Sequence, residues 1–155
     1  MHSFNETKTI PYDANLLHNI IMDIENYPNF LPWCSSASIL DRKENHLIAE
    51  LEITFKGVSY SYISRVYSRK LGGSYEIEVE GVSGPCKYLK NSWVIKSINN
   101  CSEVKFFIDF ELKSRILDMV VNMFFSTISE KIIGAFEARA KELSANSVIL
   151  QPSYL

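Results

Sequence analysis

The sequence predicts an α+β fold in which a curved antiparallel sheet of about six to seven strands wraps around a long C-terminal helix. Apolar residues first recur at helical spacing after one short strand. They then recur at every second position between Ser38 and Leu112, and helical spacing returns after Ser114. Hairpin-length connections join the central strands, which makes the sheet antiparallel. A run of strands followed by one long helix is typical of a layered α+β domain.

Length and composition fit one folded domain. The chain has 155 residues, of which 46% are hydrophobic and 12% aromatic, so disordered and low-complexity classes are excluded. The net charge of −2 disfavours a protein that binds nucleic acid through bulk charge. No apolar run reaches the roughly 18–20 residues that span a bilayer. The three scattered cysteines predict neither a disulfide framework nor a zinc site.

The first third of the chain predicts a strand, a helix and a proline-rich turn. Residues 3–10 alternate weakly and predict the strand. Asp13 is placed to cap the helix, because its carboxylate can accept the free N–H groups of the first turn. The apolar stripe of this helix consists of Leu16, Leu17, Ile20, Ile21 and Ile24. Pro28 and Pro32 predict a tight turn or a short distorted helix at residues 26–33.

The centre of the chain alternates between apolar and polar residues in runs that predict half-buried strands. These runs cover residues 47–55, 58–67, 75–79, 89–95 and 104–112. Turns are predicted at Lys56-Gly57, Gly72-Gly73 and Asn99-Asn100, and a loop is predicted at residues 81–85.

A long helix is predicted from Ser114, a good N-cap, to about Leu143. At 1.5 Å per residue its length is roughly 45 Å. Its apolar stripe consists of Leu117, Val121, Phe124, Ile128, Ile132, Ala135 and Phe136. We therefore predict a single domain over residues 1–145 and a loosely ordered tail over residues 146–155.

One run of eight residues resembles the signature of the coenzyme Q-binding, START-like family. This family lies within the polyketide cyclase/dehydrase superfamily and includes the bacterial ribosome association toxins. The run is Tyr27-Pro28-Asn29-Phe30-Leu31-Pro32-Trp33-Cys34. Further pieces agree in order and spacing over roughly residues 3–144: Asp23-Ile24-Glu25, Phe55-Lys56-Gly57, Ser64-Arg65-Val66, Gly84-Pro85-Cys86-Lys87-Tyr88-Leu89, Trp93, Phe110-Glu111-Leu112 and Phe136-Glu137-Ala138-Arg139-Ala140. Cys86 departs from the family, which usually has Phe there, and the smaller side chain is expected to widen or alter the mouth of a pocket.

The resemblance implies a helix-grip fold of the START/Bet v 1 type and a lipid ligand. The leading hypothesis is a non-enzymatic domain that binds ubiquinone or another polyprenyl lipid and delivers it to membrane enzymes of respiration or quinone biosynthesis. No other cofactor is expected. The expected location is the bacterial cytoplasm, at the periphery of the inner membrane. Two alternatives stay open: a toxin that binds the large ribosomal subunit and blocks subunit joining, and a cyclase-like enzyme that uses the same pocket.

Candidate ligand-binding residues lie in the proline turn, on the strands and on the long helix. The two prolines fix the turn, so its aromatic side chains form either a pocket wall or a hydrophobic plug. Buried tyrosines need hydrogen-bond partners, and a quinone carbonyl is a suitable acceptor. The predicted ligand-binding residues are Tyr27, Phe30, Leu31, Trp33, Phe55, Tyr60, Tyr62, Trp93, Phe106, Phe110, Leu117, Val121 and Phe124.

The start of the long helix is more apolar than one buried face requires. Residues 116–125 include only two polar side chains, Asp118 and Asn122. Burial on both sides at a dimer contact explains this excess, and so does a movable lid or contact with the membrane in which quinone dissolves. Lys113 and Arg115 flank the segment and suit anionic headgroups. The predicted membrane-contact residues are Met119, Val120, Met123 and Phe125.

The sequence gives little support for catalysis. His2, His18 and His46 are dispersed and are expected at the surface. Asp109 and Glu111 share a strand face that alternation places in solvent. No catalytic triad, phosphate-binding glycine loop or metal-ligand set is present, so no catalytic or metal residue is predicted. For the ribosome alternative, the basic candidates are Lys87, Lys90, Lys96, Lys105, Lys113 and Arg115.

Overall fold

A computed structural model describes residues 2–149 of the chain, and the side chains of residues 2–145. Its seven strands are β1 His2–Ile10, β2 Cys34–Arg42, β3 Leu47–Phe55, β4 Val58–Leu71, β5 Ser74–Ser83, β6 Cys86–Ile98 and β7 Cys101–Leu112. Its helices are α1 Ala14–Met22, a 3₁₀ helix Ile24–Asn29 and α2 Arg115–Ile149. The strands form one antiparallel sheet in the order β1-β7-β6-β5-β4-β3-β2. The predicted fold class, a curved antiparallel sheet with a long C-terminal helix, is confirmed.

Three predicted boundaries are wrong. β4 continues to Leu71 because its last residues pair with the start of β5. The predicted loop at 81–85 shrinks to Gly84 and Pro85, because a register shift lets residues 81 and 83 pair with β4. α2 extends beyond Leu143 to Ile149, so the first residues of the predicted tail are helical. Residues 150–155 of that tail lie outside the described residues.

The hairpins place alternate turns at opposite ends of the sheet. Lys56-Gly57 and Gly84-Pro85 lie at one end, which we call the Lys56 end, and Gly72-Gly73 and Asn99-Asn100 lie at the other. Cys86 at the start of β6 pairs with Leu112 at the end of β7, so α2 also begins at the Lys56 end. Positive φ occurs in these turns at Lys56, Gly57, Gly72, Asn99 and Asn100, which matches the right-handed twist of the paired strands.

The core fills the end of the molecule far from Lys56. α1 buries Leu17, Ile20 and Ile21 against the sheet and the second half of α2. Ile77 and Ile95, on the inner face of the sheet, are fully buried there. Asp13 occupies the N-cap of α1, but its carboxylate makes no capping hydrogen bond. The capping prediction is therefore wrong, and the carboxylate is exposed at the surface.

The start of α2 is tied to the sheet by one carboxylate. Ser114 caps the helix as predicted, since its Oγ accepts the Leu117 N–H at 3.2 Å. Asp118 Oδ1 accepts the Leu112 N–H at 3.2 Å and lies 2.7 Å from His2 Nε2. His2 is only 3% exposed, so its predicted surface position is wrong. The reason is that His2 pairs with Phe110 on β7, which places its ring beneath α2.

We expect Asp118→Ala to lower the stability of the fold at neutral pH. The Leu112 amide, followed by His2, holds the pKa of the Asp118 carboxyl below its ordinary value of 3.8. The folded state therefore gains stability from the charged carboxylate above that value and loses it as the pH falls through the lower, folded-state pKa. Urea denaturation should give a lower midpoint for Asp118→Ala at pH 7, with a smaller difference from the parent at pH 3.

The matched control is Asp13→Ala, which removes an exposed carboxylate that makes no capping bond. Its midpoint at pH 7 should change less than that of Asp118→Ala. Equal midpoints for the parent and Asp118→Ala at pH 7 would contradict the role of this carboxylate.

Candidate functional site

A cavity of about 460 Å³ lies between the inner face of the sheet and the first half of α2. This volume falls within the range of about 300–1,000 Å³ that small-molecule sites occupy. Its wall comes from the inner faces of β3 to β7, the turn after the 3₁₀ helix and one side of α2. Lys56 and Val58 line the cavity and are also exposed, so the cavity reaches the surface at the Lys56 end.

Eleven of the thirteen residues predicted to bind ligand line this cavity. They are Tyr27, Leu31, Trp33, Phe55, Tyr60, Tyr62, Trp93, Phe106, Phe110, Leu117 and Val121. The strand residues among them share the inward phase of the period-two pattern, and the helix residues share one face of α2. The structure therefore brings these side chains together, while their contact with a ligand stays a prediction.

Phe30 and Phe124 lie outside the lining, contrary to the prediction. The Phe30 ring packs edge-on against Tyr27 and Phe136, and the Arg139 guanidinium lies 5.3 Å from its centroid. Phe30 therefore supports the cavity wall from behind. Phe124 is 39% exposed, with Lys56 Nζ 5.3 Å from its ring centroid, because it falls on the flank of α2 rather than on its inner face.

Val120 and Phe125, predicted as membrane-contact residues, lie on the cavity side of α2, and their membrane contact stays a prediction. Phe125 packs edge-on against Phe110 at 5.4 Å, which fixes its ring on the inner side of α2. The remaining apolar residues of this segment form an exposed apolar stripe, which consists of Ile116, Met119, Met123 and Phe124. Met119 and Met123, at 69% and 76% exposure, occupy the predicted outer face. Among the described residues, no helix is long and apolar enough to cross a membrane.

Several lining residues were absent from the predicted set because they are small or polar. Ala49 and Ser64 face each other across β3 and β4 in the inward phase, and Ser129 lies one turn after Phe125 on α2. The periodicity that identified their larger neighbours also includes them. Cys86 lines the cavity as well, which agrees with the expectation that it affects the pocket mouth.

The cavity is nearly uncharged. Of the described residues that line it, Lys56 alone carries a charge, and it lies at the rim. Burial raises the pKa of the Tyr27 and Tyr62 hydroxyls, so both remain protonated hydrogen-bond donors. Burial also raises the pKa of the neighbouring Cys34 thiol to about 11, which makes it a poor nucleophile at neutral pH.

The remaining titratable candidates lie away from the cavity. Asp109 and Glu111 are on the outer face of β7, where Asp109 Oδ1 accepts the Tyr88 hydroxyl at 3.3 Å. His18 stacks on Tyr75 at 4.3 Å and contacts Ser68, and burial lowers its pKa. Within residues 2–149, no cluster of His, Cys, Asp and Glu could hold a metal ion.

The basic candidates do not form a patch of one charge. Lys90 pairs with Asp109 and Lys96 pairs with Glu103 as neighbours on β6 and β7. Lys87 Nζ lies 3.8 Å from a Glu111 carboxylate oxygen. The outer face therefore alternates in charge, which weakens any long-range attraction to phosphate.

The cavity predicts opposite effects for two alanine-to-leucine substitutions. Ala49→Leu should leave stability unchanged or raise it by up to about 2 kcal/mol, because the added carbons enter empty apolar space at about 0.8 kcal/mol each. The control is Ala14→Leu, in a packed part of the core that does not line the cavity; it should cost about 1–3 kcal/mol. Urea denaturation measures both, and equal destabilisation by the two changes would rule out free space beside Ala49.

Comparison with known proteins finds relatives that match almost the whole length of this chain. A family model described as polyketide cyclase/dehydrase and lipid transport matches residues 10–137. The ribosome association toxin RatA of Rickettsia prowazekii (strain Madrid E) is 42% identical over 144 residues, which cover 92% of this chain and 99% of the toxin. The mitochondrial coenzyme Q-binding protein COQ10 of Dictyostelium discoideum is 29% identical over 151 residues, which cover 91% of this chain and 70% of that protein.

Solved structures share the fold. A START superfamily protein from Mycobacterium smegmatis has a TM-score of 0.77 at 20% identity, covering 92% of this chain and 99% of that one. The ZhuI aromatase/cyclase from a Streptomyces species has a TM-score of 0.78 at 13% identity, covering 90% and 93%. Both likenesses establish the predicted helix-grip fold and nothing about activity. Since the family model matches most of its length, the chain belongs to the polyketide cyclase/dehydrase and lipid transport family.

Proposed function

We propose that this protein is a non-enzymatic lipid-binding domain that holds a polyprenyl quinone of the ubiquinone type, or a related polyprenyl lipid. The observation that carries this proposal is the apolar cavity of about 460 Å³ between the sheet and α2. Its volume and sparse polar groups suit a hydrophobic small molecule. The lipid transport in the family description and the coenzyme Q-binding name of the Dictyostelium relative support the same ligand class.

The energetics of such a ligand favour its tail. Each CH₂ group that leaves water contributes about 0.8 kcal/mol, whereas one hydrogen bond to the head group contributes about 0.5–1.5 kcal/mol. The lining offers mostly aliphatic and aromatic surface to such a tail. Affinity then comes mainly from the isoprenoid, and the head group sets the orientation.

A lipid ligand dissolves in the bilayer, so the proposal also includes peripheral contact of the protein with the inner membrane from the cytoplasmic side. The exposed apolar stripe begins in the first turn of α2, at the end where the cavity reaches the surface. Lys113 and Arg115 precede the stripe, and Lys56 lies beside Phe124 at its far end. Apolar side chains between cations suit an anionic bilayer surface. A quinone can then pass between bilayer and cavity, in support of respiratory or quinone-biosynthetic enzymes.

Purification of the protein from cells followed by native mass spectrometry tests the ligand assignment. We expect a bound polyprenyl quinone or related lipid, which organic extraction would release and identify. A ligand-free protein that also fails to take up quinone from loaded liposomes would refute the proposal.

The membrane contact predicts a loss of liposome binding for Met119→Asp combined with Met123→Asp. Both side chains are mostly exposed, so the double change should leave the fold intact while it adds two charges to the contact surface. The matched control is Leu71→Asp combined with Ile98→Asp, which are exposed at the opposite end of the sheet. Co-sedimentation with anionic liposomes should fall for the first pair only, and equal retention of both folded variants would contradict the contact.

A second candidate function is association with the ribosome, favoured by the 42% identity to a ribosome association toxin over almost the full length of both chains. We propose to test it by co-sedimentation with the large ribosomal subunit, which should weaken as the salt concentration rises. Ala49→Leu separates the two functions, because a narrower cavity should weaken lipid uptake while a contact on the outer face persists. A cyclase-like activity would instead require turnover of a bound polyketide or isoprenoid.

A further inference from the structure

One wall of the cavity carries a row of hydroxyl groups. Tyr60, Tyr62 and Ser64 follow one another at every second position of β4, so their side chains share the inner face. All three line the cavity, and their partners across β3 are Ile53, Leu51 and Ala49. Polar groups in a mostly apolar pocket generally fix the orientation of its ligand.

Two half-buried tyrosines of this cavity differ in how their hydroxyls are used. The Tyr27 hydroxyl donates a hydrogen bond to the Ile21 carbonyl, so a protein group already satisfies it. The Tyr62 hydroxyl makes no hydrogen bond to any residue in the described part of the chain. Burial raises the pKa of this hydroxyl, so it remains a donor throughout the physiological range. Tyr62 lines the cavity and has no hydrogen-bond partner within the described residues, so an acceptor on a ligand in the cavity is its natural partner.

The backbone holds Tyr62 in place from the neighbouring strand connection. Gly84 has a φ of +134° and lies so close that a Cβ at this position would be 2.5 Å from the Tyr62 Cβ. Only glycine fits there without movement of one strand. Tyr62 is therefore fixed beside the Gly84-Pro85 turn, four residues or about 13 Å along β4 from Val58.

We propose that Tyr62 is the polar anchor of the cavity and donates a hydrogen bond to a carbonyl oxygen of the ligand head group. The head group then lies beside Tyr62, and the tail occupies the remaining apolar part of the cavity. This inference rests on the proposed quinone binding and adds the orientation of the ligand and the residue that selects a carbonyl-bearing head group. A quinone offers acceptors only, so a protonated phenol suits it.

The test compares two probes that differ only in their head group. Decylubiquinone carries carbonyl acceptors, whereas decylbenzene has the same tail and no oxygen. Tyr62→Phe keeps the ring and removes the hydroxyl, so decylubiquinone should bind about twofold to tenfold more weakly, while decylbenzene should bind as it does to the parent. The matched control is Tyr88→Phe, which removes a hydroxyl bonded to Asp109 outside the lining and should leave both affinities unchanged.

Infrared spectroscopy gives a second measurement, the carbonyl stretching frequency of the ligand, which a general loss of packing would not change. The carbonyl stretch of bound decylubiquinone should lie lower in the parent than in Tyr62→Phe, because the hydrogen bond weakens the C=O bond. A Tyr62→Phe variant with parental affinity and an unshifted carbonyl band would overturn the anchor and leave lipid binding intact. A parent protein that binds decylbenzene and not decylubiquinone would overturn both the anchor and the proposed quinone ligand.

Discussion

The packing of Phe136 on α2 is the contact on which the rest of the structure depends. Its ring meets Trp93 of β6 at 5.1 Å, Tyr27 of the 3₁₀ helix at 5.5 Å and Phe30 at 5.4 Å, each edge-on. This cluster joins the sheet, the proline turn and the long helix in a single buried core. Asp118 ties the other end of the helix to the sheet. The stretch of α2 between Asp118 and Phe136, about 27 Å long, therefore spans the curved sheet without filling it, and the cavity results.

The apolar excess at the start of α2 follows from this geometry. A helix that spans a cavity presents one apolar face inward, where Leu117, Val121 and Phe125 form part of the wall. The exposed apolar stripe occupies the opposite side and the flank, at the end where the cavity reaches the surface. One segment thus presents apolar side chains both to the cavity and to the surface. The outer face of the sheet is separate from both, so a contact with a ribosomal surface would not compete directly with a lipid inside.

Local sequence patterns determined the order of the elements, the inward phase of each strand and most of the inner face of α2, but not the positions of Val120, Phe124 and Phe125. Alternation along β3 to β7 depends only on which side of a strand each residue occupies, and the turn residues depend only on local backbone preference. Because alternation shows which side of a strand a residue occupies, aromatic residues such as Tyr62, Trp93 and Phe110 could be assigned to one interior surface. The eight-residue run from Tyr27 to Cys34 identified the family without any knowledge of contacts.

Only the tertiary structure decided which of those inward residues meet empty space and which meet each other. His2 is buried because β1 pairs with β7, more than a hundred residues away, and no local pattern contains that pairing. Phe30 faces Phe136 rather than the cavity for the same reason. The Tyr27 hydroxyl is satisfied within the protein, whereas that of Tyr62 faces the cavity, although both are inward tyrosines in the sequence. The separation between sheet and helix sets these outcomes, and that distance comes from contacts between residues far apart in the chain.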